Sequence, residues 1–369
     1  MKSFSFFTIL LLCLAILIVD VLAYYWLITI IASVEPLWFQ TAIKVLFWLF
    51  TVGLITAILI LKITLDAINP ARRHFLISKF YGLAISSFVP KLVFVTMISI
   101  LFFTNRLFSD GDSLTLVPIL GLFSGFLPFF IIVYGIYIAK YRFKVYHHVV
   151  KSDRLPEAFD GLKVIQISDL HLGSFNYNYA KLERAIEMIN EEQPDYIMIT
   201  GDLVNNYAWE LRGWESVFKK LEAQHGKYAI LGNHDYGEYS AWDSPELKEA
   251  NFEAIKAFYD KIGFKLLLNA SEIKTSRGEQ IAIIGVENWG KQTTQLYGDL
   301  DKAMSNVRTI SFKVLLSHDP THWMEQVVGQ TDIALTLSGH THGMQAAFQY
   351  KNFQWSPIKY KFKQWAGLY

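Results

Sequence analysis

Apolar residues are spread very unevenly along the chain. Over residues 6–31, and again over 38–61, almost nothing polar interrupts a run longer than the roughly 20 residues a helix needs to cross a bilayer core. Two further runs, 81–104 and 114–139, are also long enough but carry Pro90 in one and Pro118 and Pro128 in the other. Proline is tolerated in membrane helices, where neighbouring helices or water satisfy the freed carbonyls. A bundle of about four transmembrane helices over residues 1–145 is therefore expected. The first run exceeds the core of a signal peptide and leads into the second with no small-residue cleavage site, which predicts an uncleaved span.

After Tyr146 the pattern changes. Leu162, Val164, Ile165 and Ile167 form a short run closed by Ser168 and Asp169, as a buried strand does. Leu182, Ala185, Ile186 and Ile189 then fall at helical spacing, with Glu183, Arg184, Glu187 and Glu191 on the other side and Pro194 as the stop. A strand over 196–200, a helix around 214–221 and a strand over 228–231 follow, with more strands expected at 281–286, 314–316 and 333–337. Strands alternating with helices predict an α/β domain over residues 146–369.

Polar residues collect where these strands end. Asp169 and His171 close the first, Asp202 the second, and Asn233, His234 and Asp235 the third, while His318, His340 and His342 follow later strands. Loops at the carboxyl ends of strands are where open α/β sheets place ligands, so these groups can converge from distant parts of the chain. Each pair alone is ordinary turn or capping chemistry, but their joint occurrence after successive strands points to a metal site. Imidazole, carboxylate and amide without thiolate suit divalent Mn, Fe, Zn or Mg, with the identity left open. Four histidines and two aspartates exceed what one tetrahedral ion needs, whereas two divalent metal ions roughly 3.5–4 Å apart and sharing a carboxylate would use them all. His147, His148, His225 and His322 lack this setting and are expected in surface or packing roles, His322 being near enough in sequence to His318 to support it.

Composition and charge narrow the class further. Hydrophobic residues make up 52% of the chain and charged residues 18%, a more apolar balance than soluble proteins show, so part of the surface is expected to face lipid. The net charge of +1 lacks the basic footprint of a nucleic-acid binder, and no nucleic acid is expected as partner. Cys13 is the only cysteine, which excludes an intrachain disulfide and a thiolate cluster. Lys62, Arg72, Arg73 and Lys79 lie between the second and third runs, and Lys140, Arg142 and Lys144 after the fourth, whereas the opposite loops hold Arg106 alone, beside Asp110 and Asp112. Cytoplasmic loops carry the excess of Lys and Arg, so both termini are expected on the cytoplasmic side. Asp20 and Lys91 are the ionisable residues deepest in the runs; they read either as a functional site or as an interhelical ion pair, with a snorkelling lysine as a further form of the second.

The order SDLHLG, TGDLVNN, LGNHDYG, LLSHDP and SGHTHG, within residues 155–345, resembles the calcineurin-like metallophosphoesterase superfamily, and especially its membrane-anchored bacterial branch. The resemblance implies a four-layer αββα fold, a β-sandwich flanked by helices, and an integral protein of the inner membrane with a cytoplasmic catalytic domain. Asp169, His171 and His342 would hold one metal, Asn233, His318 and His340 the other, and Asp202 would bridge them. His234 would meet the scissile phosphate or protonate the leaving group, with Asp235 orienting it. Met344 replaces a second glycine common after the last motif, and the chain ends earlier than relatives that add strands, so an incomplete C-terminus with an unpaired sheet edge is expected.

The activity implied is hydrolysis of a phosphate ester or pyrophosphate at a dinuclear metal site. Tethering to a membrane favours a lipid-linked substrate; some enzymes of this branch cleave the pyrophosphate of UDP-diacylglucosamine in lipid A synthesis. Residues 359–363, alternating Lys with Tyr and Phe near Trp355 and Trp365, fit either an interfacial segment or an amphipathic strand. The alternatives are a general phosphodiesterase or nucleotidase acting on soluble substrates, and a membrane sensor or transporter whose phosphoesterase domain only binds ligand. The oligomeric state is left open.

Overall fold

The computed structural model describes residues 5–32, 34–64, 68, 70–108, 116–175, 177–290, 297–342, 347–350 and 353–369. Asp110, Asp112 and Met344, named above, and the first two residues of the 114–139 run lie outside these residues. The chain forms two units, Ser3–Phe143 and Lys144–Tyr369.

The first unit consists of helices α1 (Phe6–Ile31), α2 (Leu37–Thr64), α3 (Pro70–Phe108) and α4 (Leu116–Tyr137). All four are long and apolar enough to cross a membrane. α3 is longer than expected, 39 residues, or about 58 Å at 1.5 Å per residue, so it outreaches a bilayer core of about 30 Å. Its early start follows from proline's fixed φ, which suits the first helical position. Helix α1 is central. Cys13 and Ile16 pack with Leu54 and Ile58 of α2 and Ala84 of α3, and Ala23 and Trp26 pack with Phe94, Val95 and Ile98 of α3 and Val117 of α4. α4 lies close on α3, because a Cβ on Gly121 would stand 2.9 Å from Ile98 and one on Gly125 3.0 Å from Phe94. Val45, Leu49, Phe123 and Phe130 are exposed, a surface suited to lipid rather than water.

Asp20 and Lys91 form an interhelical ion pair at 2.8 Å, with Asp20 buried. The Thr51 hydroxyl donates to Asp20 as well, so the carboxylate on α1 joins α2 and α3. Lys91 also sits over the ring of Phe47 at 4.8 Å.

The second unit is an α/β sandwich. Strands β1 (Val164–Ile167), β2 (Tyr196–Thr200), β3 (Gly226–Ile230) and β4 (Lys265–Leu266) form a parallel sheet in that order. Helices α5 (Tyr179–Glu191), α6 (Glu215–Phe218) and α7 (Pro245–Lys261) connect them. Because the order never reverses, right-handed crossovers put all three helices on one face. The other face meets a second sheet. There β5 (Ala270–Ser276) pairs antiparallel with β6 (Glu279–Gly285), which runs parallel to β7 (Phe312–Leu316), itself parallel to β8 (Leu335–Leu337).

Alternation along the strands builds the layers. Tyr196, Met198, Tyr228 and Ile230 of the first sheet meet Ile281, Ile283, Phe312, Val314 and Leu316 of the second in one core. Ala282, Ile284 and Leu315 point the other way and pack under helix α8 (Leu300–Met304). A last hairpin, β9 (Phe348–Tyr350) with β10 (Phe353–Trp355), forms a separate two-stranded sheet. The helix expected over 214–221 shrinks to the four residues of α6, whereas α7 was not anticipated although its start is well marked. Ser244 caps it with Oγ accepting from Leu247 N at 3.4 Å, and Pro245 occupies the first turn.

Candidate metal centre

The carboxyl ends of β1, β2, β3, β7 and β8, drawn from both sheets, bring together Asp169, His171, Asp202, Asn233, His234, Asp235, His318, His340 and His342. Two groups of side chains form. Asp169, His171, Asp202 and His342 make one and Asp202, His318 and His340 the other, with the candidate ligand atoms in each group within 4.8 Å of one another. Asp202 belongs to both.

The distances are those of a shared cage. Asp202 Oδ2 lies 3.2 Å from His318 Nε2 and 3.6 Å from His171 Nε2. His342 Nε2 stands 3.1 Å from His171 Nε2 and 3.2 Å from Asp169 Oδ1. His340 Nδ1 stands 3.3 Å from His318 Nε2 and 2.9 Å from Asn233 Oδ1, so the Asn233 amide adjoins the second group.

Backbone geometry is adapted to these positions. Asp169 (φ 54°), His171 (45°), Asp202 (56°), His340 (72°) and His342 (50°) all occupy the left-handed region, where non-glycine residues are uncommon. Such strain persists only where the surroundings fix it. Here Asp169 N donates to Gly201 O at 3.0 Å, His171 N to Asp202 O at 3.1 Å, and His340 N to the Asp169 carboxylate at 2.9 Å. Gly201 allows the two sheet-end loops to touch: its φ is +96°, and a Cβ there would collide with the Gly232 backbone.

The donor chemistry fits divalent cations. His318 Nδ1 is 2.7 Å from the Thr200 carbonyl; a carbonyl only accepts, so that nitrogen carries a proton. Its Nε2 faces Asp202, an arrangement satisfied either by a second proton or by a cation between them. Burial opposes charging of this ring, but the Asp202 carboxylate outweighs it and pushes the His318 pKa up to about 10. Burial likewise pushes the Asp202 carboxyl up, but the surrounding imidazoles, His318 foremost, hold it well below the usual carboxylate range. Burial dominates at His171, pushing it down to about 4 against the pull of Asp202, and its Nδ1 is a buried nitrogen with no partner among the described residues. Facing imidazole nitrogens around a buried carboxylate are what a bound cation would reconcile.

Two expected roles need revision or extension. Asp235 does not orient His234. It is fully buried and accepts from the backbone N–H of Asp202 (2.9 Å), Leu203 (3.0 Å), Val204 (3.2 Å) and Gly232 (2.9 Å), clamping the loop after β2 to the loop after β3. Burial and the Asp202 charge push its pKa up to about 7, against those N–H donors. The partner of His234 is instead the Asn205 carbonyl, 2.7 Å from its Nδ1, with the His234 backbone N–H on Asp202 Oδ1 at 2.9 Å. The Asn205 loop is in turn held by the buried Glu210, which accepts from the N–H groups of Asn205 (2.7 Å), Asn206 (3.0 Å) and Tyr207 (3.0 Å). Asn205 stands inside the TGDLVNN stretch, a signal that was present; nothing in the sequence pointed to Glu210.

His322 stays apart from the cage. It is buried between Ser317 Oγ (2.8 Å) and Gln326 Oε1 (3.0 Å) and stacks on Trp289. The 359–363 segment is not a strand: 357–360 form a short 3-10 helix, Ile358 and Phe362 turn inward, and the Phe362 ring meets His340 edge-on at 5.5 Å.

Five strand ends converge on a carboxylate- and imidazole-lined cage whose side chains could hold metal ions. Residues 162–344 match the family described as Calcineurin-like phosphoesterase, and residues 4–140 match one described as Probable Calcineurin-like phosphoesterase, transmembrane domain. The chain is 31% identical over 222 residues to a zebrafish (Danio rerio) transmembrane protein with metallophosphoesterase domain, covering 58% of this chain and 47% of that protein. It is 30% identical over 218 residues to the metallophosphoesterase YkuE of Bacillus subtilis, covering 58% of this chain and 69% of the relative. Among solved structures, the NAD nucleotidase of Haemophilus influenzae aligns with a TM-score of 0.35 at 16% identity, over 49% of this chain and 38% of that one. The chain therefore belongs to the calcineurin-like metallophosphoesterases. It spans about half the length of the zebrafish relative.

Proposed function

We propose that the second unit hydrolyses a phosphate ester or pyrophosphate at a dinuclear divalent-metal centre. The observation that carries this reading is the membership of Asp202 in both ligand groups. Asp169, His171 and His342 would hold one ion, Asn233, His318 and His340 the other, and Asp202 both. When bound, such ions neutralise phosphate oxygens and lower the pKa of water.

The remaining work falls to the chain's own groups. The Asn205 carbonyl keeps the His234 proton on Nδ1, which leaves Nε2 for the substrate. His234, half-buried beside His171, donates a proton from Nε2 to the departing oxygen when both ring nitrogens are protonated. Asp235 fixes the loops that aim these groups.

Within the class, the finer reading is an amphiphilic, lipid-linked phosphate such as UDP-diacylglucosamine, cleaved at the cytoplasmic face of the inner membrane. Four helices long and apolar enough to span a membrane on the same chain support it, since they would tether the protein to a bilayer. The test uses purified full-length protein stripped of metal, then supplied with Mn, Mg, Zn or Fe. Turnover should return with at least one ion, and mixed micelles should show the lipid substrate slowing on dilution with inert detergent at constant bulk concentration. Absence of phosphoester cleavage with every ion sinks the enzymatic reading; equal cleavage of a soluble phosphodiester with no surface dilution leaves only the general phosphodiesterase.

A further inference from the structure

Tyr239 lies in the loop after β3 and touches two members of the centre at once. Its ring stacks on the His234 imidazole, with centroids 4.5 Å apart and planes at 27°. Its hydroxyl accepts from Asn233 Nδ2 at 2.9 Å. The tyrosine is 41% exposed, so burying its own apolar surface does not account for its placement.

The two contacts act on different things. Asn233 has two ends: Nδ2 is held by Tyr239, and Oδ1 is presented 2.9 Å from His340 Nδ1, on the side of the second ligand group. An amide nitrogen cannot ligate a cation, so a group that holds Nδ2 keeps the oxygen where a ligand is needed. The ring, for its part, covers one face of His234, whose edge is already pinned by Asn205. A hydrogen bond at one edge leaves the imidazole free to swing about that bond; a stacked ring removes that freedom.

We propose that Tyr239 is a positioning residue with separable halves: its hydroxyl sets the Asn233 ligand and hence the affinity of the second metal site, and its ring sets the plane of His234 and hence the rate. This rests on the dinuclear phosphoesterase reading. The two halves come apart in Tyr239→Phe, which keeps the ring and loses the hydroxyl, and Tyr239→Leu, which loses both.

The experiment measures Mn²⁺ binding to full-length protein in detergent by equilibrium dialysis with metal analysis, and turnover of bis(4-nitrophenyl) phosphate at saturating Mn²⁺. Tyr239→Phe should weaken the second Mn²⁺ equivalent about 10-fold, the lower end of what loss of a partner to a metal ligand costs, while kcat at saturation stays within about twofold. Tyr239→Leu should weaken the metal equally and also lower kcat at saturation by about 10-fold or more, with KM little changed. Restoration of kcat by Phe but not by Leu is what a merely structural tyrosine would not produce. Wild-type metal affinity in Tyr239→Phe, or wild-type kcat in Tyr239→Leu, overturns the corresponding half. Failure of the underlying reading shows differently: the unmodified protein would then bind no second Mn²⁺ and cleave nothing.

Discussion

Asp202 and His234 are joined by one hydrogen bond, yet the geometry gives them opposite signatures on substitution. Asp202 faces both ligand groups, so Asp202→Ala should abolish turnover and lower bound metal below two equivalents per chain. Retention of both equivalents, measured by metal analysis, would remove the bridging role. His234 has Nδ1 on the Asn205 carbonyl and belongs to neither ligand group, so on the proposed role His234→Ala should keep its metal and lose roughly 10²–10⁴ in rate, the range for a lost proton donor. Loss of metal with His234 would make it a ligand instead. At this scale, which residues gather was legible in sequence because the candidate ligands sit in short motifs directly after strands. What several of them do was not. Asp235 stands next to His234 in the chain, but successive residues of a tight turn point apart, and its carboxylate finds four backbone N–H groups rather than the imidazole. Glu210 and Tyr239 left no mark, since their partners are loop backbone and side chains whose approach depends on the finished fold.

Elements, and the loops between them, hold the site as a clamp and the membrane unit as a lock. Asp235 ties the ends of β2 and β3, and an Asn in its place would turn an NH2 group against N–H donors. Hydrogen bonds contribute about 0.5–1.5 kcal/mol each, and a buried orphan donor costs about 1–3 kcal/mol. Asp235→Asn should therefore destabilise by about 3 kcal/mol, lowering the melting midpoint of the purified protein by roughly 6–12 °C. A midpoint unchanged within error would mean the clamp is dispensable. In the membrane unit, Lys91→Met leaves Asp20 a buried charge with Thr51 as its remaining partner among the described residues. Breaking a buried pair typically costs about 3–5 kcal/mol, whereas replacing both partners is often neutral. Lys91→Met should thus melt well below the parent in detergent, and Asp20→Leu with Lys91→Met should recover most of the loss; if the double variant melts lowest, the two charges are not coupled. The spans were legible from length and apolarity alone, and the ion pair was one of two readings of Asp20 and Lys91. Helix α7 and the antiparallel strand β5 were missed: β5, at a sheet edge, mixes exposed and half-buried positions with no buried one, so its apolar signal is weak.

At the scale of the whole molecule, the sign of each loop decides which pool of phosphates the centre can reach. Lys62, Arg72, Arg73 and Lys79 gather before or early in the third span and Lys140, Arg142 and Lys144 follow the fourth, whereas the opposite loops hold Arg106 alone and the turn at Glu35 and Pro36 has no positive charge. Because positive loops stay cytoplasmic, the asymmetry predicts that the α/β unit faces the cytoplasm and the Glu35 turn faces outward. The one native cysteine makes this measurable: Cys13 is buried in the bundle, and replacing it with Ala leaves a background with no thiol. Glu35→Cys and Ser152→Cys, each in that background, place one reporter on either side. In intact cells a membrane-impermeant maleimide should label Glu35→Cys and leave Ser152→Cys untouched until the cells are permeabilised. The reverse pattern would put the metal centre outside, where nucleotide-linked lipid precursors made in the cytoplasm are absent, and the lipid-linked reading would fall even if the phosphoesterase chemistry stood. Labelling of both from outside would break the even number of spans, because an even number is what returns the chain to the side where it began.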